Sequence, residues 1–325
     1  MTKTVRRLGR GALVLAALML SGASFAQSFP SKPIRLVVPF GPVGMPDVLA
    51  RLVAQKISDT TGQQVIVDNK PGAGGVIAAQ FLAKAEPGGY TLILIENVTY
   101  AVNPALFPKL PYNPSRDFAP VTLAVRGPFF LVANPSLGVH SVQELIALAK
   151  TRPGINYGSP GNGQQHHLTM EQFALMAGVS FTHVPYKGVL QATPALVAGD
   201  VSLMFLTLPS MAALAKAGKL RILAVTSAQR SLLMPEVPTV AEAGFAGFEA
   251  VFNMGFAAPA ATPRAIVERL NTLFVDALKS PEVESKMLGF GVEMVAGTPE
   301  QFAEQIRKDQ EHFARLVSQT GLKAD

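Results

Sequence analysis

Short apolar runs rich in β-branched residues alternate with amphipathic helical patterns from about residue 30 to the C-terminus. Most of these runs are continuously apolar, which is typical of strands covered on both faces in a parallel sheet. The repeated order of strand and helix therefore predicts an α/β fold. The strands are predicted at 34–40, 64–68, 91–95, 130–133, 155–158, 180–184, 201–207 and 220–226.

Three helix starts are marked by capping residues. Ser141 and Glu144 have the spacing of a capping box, which predicts a helix that runs to Lys150. Thr262 and Thr298 each precede a proline, so we predict that each threonine caps a helix with proline in its first turn.

The N-terminus has the order of a secretory signal peptide. Four basic residues precede an apolar run at 11–20 and a small-residue stretch that ends at Ala26. The run is about half of the roughly 20 residues that a membrane-spanning helix needs. We therefore predict that residues 1–26 are cleaved and that the mature protein is exported.

Composition narrows the function further. Removing residues 1–26 takes away four of the basic residues and no acidic one, so the net charge falls from +6 to +2. A nucleic-acid partner is not expected, because no basic cluster with interleaved aromatic residues remains. The chain has no cysteine, which excludes a thiolate nucleophile and a cysteine-ligated metal. We expect no cofactor and no metal.

Two stretches, 117–128 and 247–259, are predicted to connect two lobes. One lobe then consists of two separate pieces, 27–127 and 249–325, and the other of residues 128–248. A doubly crossed arrangement of this kind suits hinge closure around a ligand.

Glycine-rich turns follow three of the predicted strands. In an open α/β sheet, ligands bind at the carboxyl ends of the strands, and a helix N-terminus placed there favours an anion. The first turn, 39–47, lacks the spacing of a nucleotide-binding loop, and Asp47 is expected to cap the helix that follows. The second, 69–75, is equally compatible with a tight turn and with ligand contact. The third is 157–164.

The third turn also raises an enzymatic alternative. Ser159 lies near His166 and His167, as an ester hydrolase would require, but the G-x-S-x-G spacing of a nucleophile elbow is missing. Adjacent histidines on a helix point about 100° apart, so His166 and His167 cannot both face one metal. We expect a helix-start contact from one histidine and an exposed side chain from the other, and no enzymatic activity.

The mature chain resembles the Bug (TctC-like) family of periplasmic solute-binding proteins of tripartite tricarboxylate transporters. The resemblance extends from Phe29 to Gly321. The motifs that carry it include Pro39-Phe40-Gly41-Pro42, Asn69-Lys70-Pro71-Gly72-Ala73-Gly74-Gly75, Gly89-Tyr90-Thr91-Leu92, Asn103-Pro104, Tyr157-Gly158-Ser159, His183-Val184-Pro185-Tyr186-Lys187-Gly188 and Val237-Pro238-Thr239.

This resemblance implies a type II periplasmic binding protein fold, with two lobes joined by crossover strands and a ligand cleft between them. It implies a monomeric receptor whose first and third loops hold a small carboxylate-bearing solute through backbone N–H groups and pass it to membrane permease subunits. A ligand sensor acting on the ectodomain of a sensor kinase is the alternative.

The chain departs from the family pattern at four places. Val43 stands in a loop that is commonly Gly-Pro-Gly-Gly, and Gln164 or Gln165 replaces a frequent threonine. Glu96-Asn97 stands where small hydroxyl residues are frequent, and Leu206 where an aspartate is often found. If its side chain faces the cleft, Glu96 would repel a second carboxylate and favour an amino-acid-like monocarboxylate over citrate-like ligands. The alternative is that Glu96 faces solvent or caps a nearby backbone donor, because one step of strand register moves its side chain to the other face.

The predicted ligand-binding residues come from both lobes. They are Phe40, Gly41, Pro42, Val43, Gly44, Asp47, Glu96, Asn97, Gly158, Ser159, Gly161, Asn162, Gly163, Gln164, His167, Tyr186 and Leu206.

Overall fold

The computed structural model describes residues 29–322, so the predicted signal peptide lies outside the described residues. Within 29–322 the chain forms eleven strands in two sheets and eleven α-helices. The strands are β1 (Ile34–Val38), β2 (Val65–Asn69), β3 (Thr91–Glu96), β4 (Phe118–Pro128), β5 (Phe130–Ala133), β6 (Asn156–Ser159), β7 (Thr182–Pro185), β8 (Leu203–Leu206), β9 (Arg221–Val225), β10 (Val251–Pro259) and β11 (Glu293–Met294).

The helices follow the strands in alternation for most of the chain. They are α1 (Met45–Thr61), α2 (Val76–Ala83), α3 (Asn103–Leu106), α4 (Pro114–Asp117), α5 (Val142–Thr151), α6 (Gln165–Ala177), α7 (Val189–Ala198), α8 (Leu208–Lys216), α9 (Arg264–Leu278), α10 (Pro281–Gly289) and α11 (Pro299–Thr320). All eight predicted strands are confirmed, with ends that differ by a few residues.

The two sheets define two lobes. The first sheet has the order β11-β4-β10-β3-β1-β2, and the second has the order β7-β6-β8-β5-β9. Strands β1, β2 and β3 run parallel, as do β6, β7 and β8. The purely parallel arrangement that the apolar runs suggested is wrong at β4, β5 and β10, which pair antiparallel with their neighbours. For β10 the cause is the path of the chain: after completing the second lobe, the chain returns to the first sheet and runs between β4 and β3 in the direction opposite to both.

The two predicted connections are themselves strands of the first sheet. Strand β4 ends at Pro128 and β5 begins at Phe130 in the other sheet, so the chain changes lobes at Phe129. It returns through β10, which pairs with β4 from Val251 opposite Pro128 to Pro259 opposite Phe118. The division at residues 127/128 and 248/249 stays a prediction.

Helix starts show where the capping predictions were right and wrong. Thr298 caps α11 with a complete capping box to Gln301, and Ser141 accepts from the N–H of Glu144 at the start of α5. The Glu144 carboxylate accepts from the N–H of His140 instead of completing the box. Thr262 does not cap α9, because Pro263 takes the capping position and leaves the Thr262 hydroxyl buried without a hydrogen-bond partner. None of the helices within 29–322 combines the length and the apolar character needed to span a bilayer.

Candidate functional site

A cleft of about 590 Å³ lies between the two lobes. The first lobe contributes the loop before α1, the second glycine turn and the segment after β3, and the second lobe contributes the starts of α6, α7 and α8. Phe129 and Phe252, beside the two crossings, also line it. The lining side chains that bear on the chemistry are Val43, Glu96, Thr99, Gln164, Gln165, His166, Thr207 and Ser210.

Five helices begin at this cleft, and none of the five has a side-chain N-cap. The capping positions of α1, α2, α6, α7 and α8 are Gly44, Gly75, Gln164, Gly188 and Thr207, and no side chain there accepts from the first turn. The first N–H groups of a helix have no partner within the helix, and the helix dipole makes that end partially positive. The cleft therefore presents several backbone donors with a favourable potential for an anion.

The charged groups of the lining are few. Within the described residues, the cleft lining contains no lysine and no arginine, and Glu96 is its one carboxylate. Burial raises the pKa of Glu96 to about 7 and lowers the pKa of His166 to about 4. An anion bound here would thus be held by neutral donors.

The first loop is held in place by Asp47. The Asp47 carboxylate accepts from the N–H of Val43 at 3.0 Å, from Arg51 Nε at 2.9 Å and from Asn69 Nδ2 at 2.9 Å. The hydrogen bond from Arg51, helped by those from Val43 and Asn69, lowers the pKa of Asp47 to about 2. Asp47 lies in the first turn of α1 but not at its capping position, so the expected cap is wrong. It instead fixes the shape of the loop.

Val43 has a conformation that explains why glycine is frequent at this position of the family pattern. Its φ is 76° and its side chain is 83% exposed. A left-handed φ is costly for a β-branched residue and costs glycine little. Because its N–H is already bonded to Asp47, the Val43 amide is not available to a ligand, and the amides beyond it at the start of α1 are the remaining donors.

The third loop is built around a buried pair, Ser159 and His183. Ser159 is fully buried, its hydroxyl lies 2.6 Å from His183 Nε2, and the same oxygen accepts from the N–H of Gly161. His167 stacks on His183 with ring centroids 3.8 Å apart and accepts from the N–H of Gly163. Ser159 therefore pairs with His183 and not with His166 or His167, the histidines considered from the sequence, and this pair is buried outside the cleft lining.

Five of the predicted site residues line the cleft: Phe40, Val43, Gly44, Glu96 and Gln164. The others lie behind or beside it. Asn97 is bonded to β10 through the Val251 carbonyl and the Asn253 N–H, and Leu206 packs in the core of the second lobe. The remaining residues outside the lining are Gly41, Pro42, Asp47, Gly158, Ser159, Gly161, Asn162, Gly163, His167 and Tyr186.

The sequence analysis missed His166 and Gln165, which do line the cleft. His166 packs its ring 4.7 Å from that of Phe129, and its Nδ1 is buried without a hydrogen-bond partner. The expectation that one histidine is exposed is wrong, since His167 is 5% exposed and His166 is partly buried at the cleft. The 100° spacing indicated that the two histidines diverge, but not which one faces the cleft. The second glycine turn also contributes, through Gly72, Gly74 and Gly75.

A second groove is larger, about 920 Å³, and runs beside β4 and α10. One helix, α10, begins at it. Its arginines are engaged: Arg230 bonds to Glu242, and Arg126 to Asn253 and Gln305. We prefer the smaller cleft as the site because five helix starts converge there. In the described part of the chain, no group of three or more metal-ligating side chains is arranged around a metal position.

Comparison with known proteins agrees with this architecture. A sequence profile described as "Tripartite tricarboxylate transporter family receptor", TctC, matches residues 49–322. Protein BugT of Bordetella pertussis is 35% identical over 325 residues, covering 99% of each chain. A structure described as R. palustris Rpa4515 with adipate superposes with a TM-score of 0.83 at 36% identity, covering 91% of this chain and 99% of that one. A structure described as MatC (Rpa3494) from Rhodopseudomonas palustris with bound malate superposes with a TM-score of 0.78 at 30% identity, covering 89% of this chain and 100% of that one.

Proposed function

The chain belongs to the tripartite tricarboxylate transporter receptor family, TctC, and on that premise we propose that it is a periplasmic receptor that delivers a small carboxylate-bearing solute to permease subunits. The relatives with adipate and with malate support a carboxylate as the ligand. The proposed role is that of a binding protein without catalytic activity, acting as a monomer.

The observation that carries the proposal is the convergence of five uncapped helix N-termini on one cleft without cationic side chains. Hydrogen bonds from several backbone amides to a carboxylate are charge-assisted and stronger than neutral ones. A net charge of +2 for the mature chain, as predicted, provides little general attraction for anions, so local dipoles must supply the affinity.

Closure of the two lobes would complete the site. The lobes already approach each other at two glycines: a Cβ on Gly163 would lie 2.6 Å from Leu106 Cδ1, and one on Gly74 3.6 Å from Gln164 Nε2. Each lobe contributes helix starts, so a carboxylate bound between them gains donors from both sides only when the cleft is narrow. We therefore propose hinge closure at the crossings near Phe129 and Val251.

Delivery to a permease is preferred over signalling to a sensor kinase. Both roles would use the same ligand-bound state, and the family description names a transporter receptor. A binding role is preferred over the hydrolase alternative because the family description names a receptor and because Ser159 is fully buried and does not line the cleft.

Gly44→Asp tests whether the amides of α1 hold the carboxylate. Gly44 has φ −67° and ψ 163°, which suit an aspartate cap, and a Cβ there meets only Pro46 Cδ at 3.6 Å. The new carboxylate would take the first-turn N–H groups for itself and repel an anion. We expect equal or higher thermal stability without ligand and at least tenfold weaker binding by titration calorimetry. The ligands are linear mono-, di-, hydroxy- and aminocarboxylates of three to eight carbons.

The matched control is Ser280→Asp at the start of α10, which has the same extended backbone conformation and no side-chain cap. It lies outside the cleft lining and should leave binding unchanged. If no carboxylate of the series binds the wild type, or if Gly44→Asp binds as tightly as the wild type does, the proposal is wrong.

A further inference from the structure

Glu96 is a carboxylate inside a cleft otherwise suited to anions. It ends strand β3, lies opposite Met254 of β10 and lines the cleft. Among the described residues no lysine, arginine or histidine forms an ion pair with it, and burial is the one cause of its raised pKa. The carboxylate oxygens of Glu96 can therefore accept a hydrogen bond from a ligand that enters the cleft.

The titratable groups on the elements around Glu96 are neutral or are hydrogen-bonded to other residues. Tyr100, which follows β3, donates its hydroxyl to Asp309 Oδ2 at 2.7 Å. Arg126 of β4 bonds to Asn253 and Gln305 and lines the second groove. His166, on the other lobe, stays neutral because burial lowers its pKa to about 4. None of these groups offers Glu96 a positive charge.

A second unpartnered acceptor lies in the same cleft. Gln165 is 4% exposed, its Nε2 donates to the Val251 carbonyl at 2.7 Å, and its Oε1 has no hydrogen-bond partner. The bond to Val251 fixes the amide orientation, so Gln165 presents an oxygen and no N–H. Asn97, the residue after Glu96, donates to the same carbonyl at 3.2 Å. Gln165 therefore lies near the end of β3 although it comes from the other lobe.

The cleft thus combines backbone donors at helix N-termini with two side-chain acceptors that have no hydrogen-bond partner among the described residues, the half-buried Glu96 and the buried Gln165. A dicarboxylate would satisfy the donors and leave a repulsive carboxylate beside Glu96. Resting on the function proposed above, we propose that the solute carries an ammonium or another N–H donor group in addition to its carboxylate, and that Glu96 accepts from that group.

Matched ligand pairs test this inference at pH 8, above the pKa of Glu96. Adipate and 6-aminohexanoate have the same six carbons and differ by the exchange of one carboxylate for a protonated aminomethyl group, and malate and aspartate differ by the exchange of a hydroxyl for an ammonium. We expect the nitrogen-bearing member of at least one pair to bind the wild type at least tenfold more tightly. Glu96→Gln should lower that preference at least tenfold, whereas Glu86→Gln, an exposed carboxylate outside the cleft, should leave it unchanged.

Failure of this inference differs from failure of the proposed function. If adipate and malate bind at least as tightly as their nitrogen counterparts, or if Glu96→Gln keeps the full preference, Glu96 does not select the ligand and the carboxylate receptor stands. If no member of the full carboxylate series binds, the receptor function itself is wrong. Melting curves without ligand establish that Glu96→Gln is folded, and Glu96→Ser is a second variant. If neither variant folds, the wild type decides: a tenfold preference for a nitrogen-bearing ligand supports the inference, and the lack of that preference contradicts it.

Discussion

Two carboxylates, the buried Asp309 beneath the crossing strands and the half-buried Glu96 in the cleft, differ in how their oxygens are satisfied. Asp309 of α11 accepts from the Tyr100 hydroxyl, Asn253 Nδ2 and Gln305 Nε2, at 2.7, 3.0 and 2.7 Å. Glu96 lies only four residues before Tyr100 along the chain and has no protein partner of this kind. Burial raises the pKa of both groups, but only Asp309 has hydrogen bonds that oppose the rise.

The helix starts differ in the same way. Ser141, Asn113 and Thr298 cap helices that begin away from the cleft, and the five helices that begin at the cleft have no side-chain cap. Buried polar groups are normally satisfied because leaving them without partners is costly. Three helices that begin outside the cleft lining, α3, α9 and α10, also lack a side-chain cap. A missing cap alone therefore does not mark a ligand site, but at the cleft five such helix starts converge where one ligand can complete them.

The largest expected effect is on the paired carboxylate. Asp309→Ala leaves two buried donors, on Tyr100 and Asn253, and the half-buried Gln305 amide without an acceptor, which should lower the free energy of unfolding by about 3–5 kcal/mol. Chemical denaturation measures this. Glu311→Ala on the same helix removes an exposed side chain that pairs with Arg307, and should change stability by less than about 1 kcal/mol. If the two substitutions lowered the stability equally, the hydrogen bonds of Asp309 would have no special role in stabilising the fold.

Replacing Glu96, the carboxylate without a partner, should raise the stability of the protein, whereas replacing Asp309 lowers it. The pKa of Glu96 rises from 4.5 to about 7 on folding, so the native state holds a proton that the unfolded chain has released. The contribution of Glu96 to stability is thus fully present below pH 4.5 and is lost as the pH rises to 7, by about 3 kcal/mol. Glu96→Gln lacks this loss and should become progressively more stable than the wild type over that interval.

Thermal unfolding of the two proteins between pH 4 and 8 gives the difference directly. The comparison is needed because His166, with its lowered pKa, acts in the opposite sense in both proteins. A stability difference that stays constant with pH would show that Glu96 is not desolvated.

A smaller effect is expected where the lobes meet. Gly163→Val combines a φ of 68° with a Cβ that would lie 2.6 Å from Leu106 Cδ1, so it should weaken carboxylate binding by about 1–3 kcal/mol through strain against closure. Gly41→Val should bind normally, because no atom lies within 4 Å of a Cβ there and φ is not left-handed. Calorimetry that finds the two variants equally impaired would contradict the lobe contact.

The smallest effects are expected for two basic residues. Lys70 lies 3.3 Å from Asp68 and over the Phe81 ring, and Lys187 is exposed. Neither lines the cleft. Lys70→Ala and Lys187→Ala should each change the binding free energy by less than about 1 kcal/mol. If Lys187→Ala abolished binding, the carboxylate would be held by this lysine and not by the backbone amides.

Much of the fold could be predicted because the core strands are simple apolar runs. The family resemblance implied crossover strands, but the residue patterns alone did not predict β4 and β10 as strands, since Pro120, Gly127 and Gly255 interrupt them. The glycines are required by packing: a Cβ on Gly127 would lie 2.2 Å from the Phe252 ring, and one on Gly255 2.6 Å from the Phe302 ring. Such a requirement depends on residues more than 40 positions away and leaves no local pattern.

The sequence was sufficient to locate the loops of the candidate site, but not the orientations of its side chains or their hydrogen bonds. Glycine turns after strands located the first and third loops, and Glu96 was identified by its unusual type. The sequence could not assign the rotation of α6 about its axis, which turns His166 to the cleft and His167 to His183. Nor could it show that Asp47 occupies the Val43 amide, because that depends on the path of the loop.

Hydrogen exchange of the backbone amides tests the central claim most directly, that the helix N-termini of the cleft are completed by the ligand. The protein is measured without ligand and with a saturating concentration of the tightest-binding carboxylate. We predict slower exchange in the first turns of α1, α2, α6, α7 and α8, and no change around Asp309. Unchanged exchange in those first turns, with protection instead beside the second groove at 227–233 and 281–294, would contradict the account.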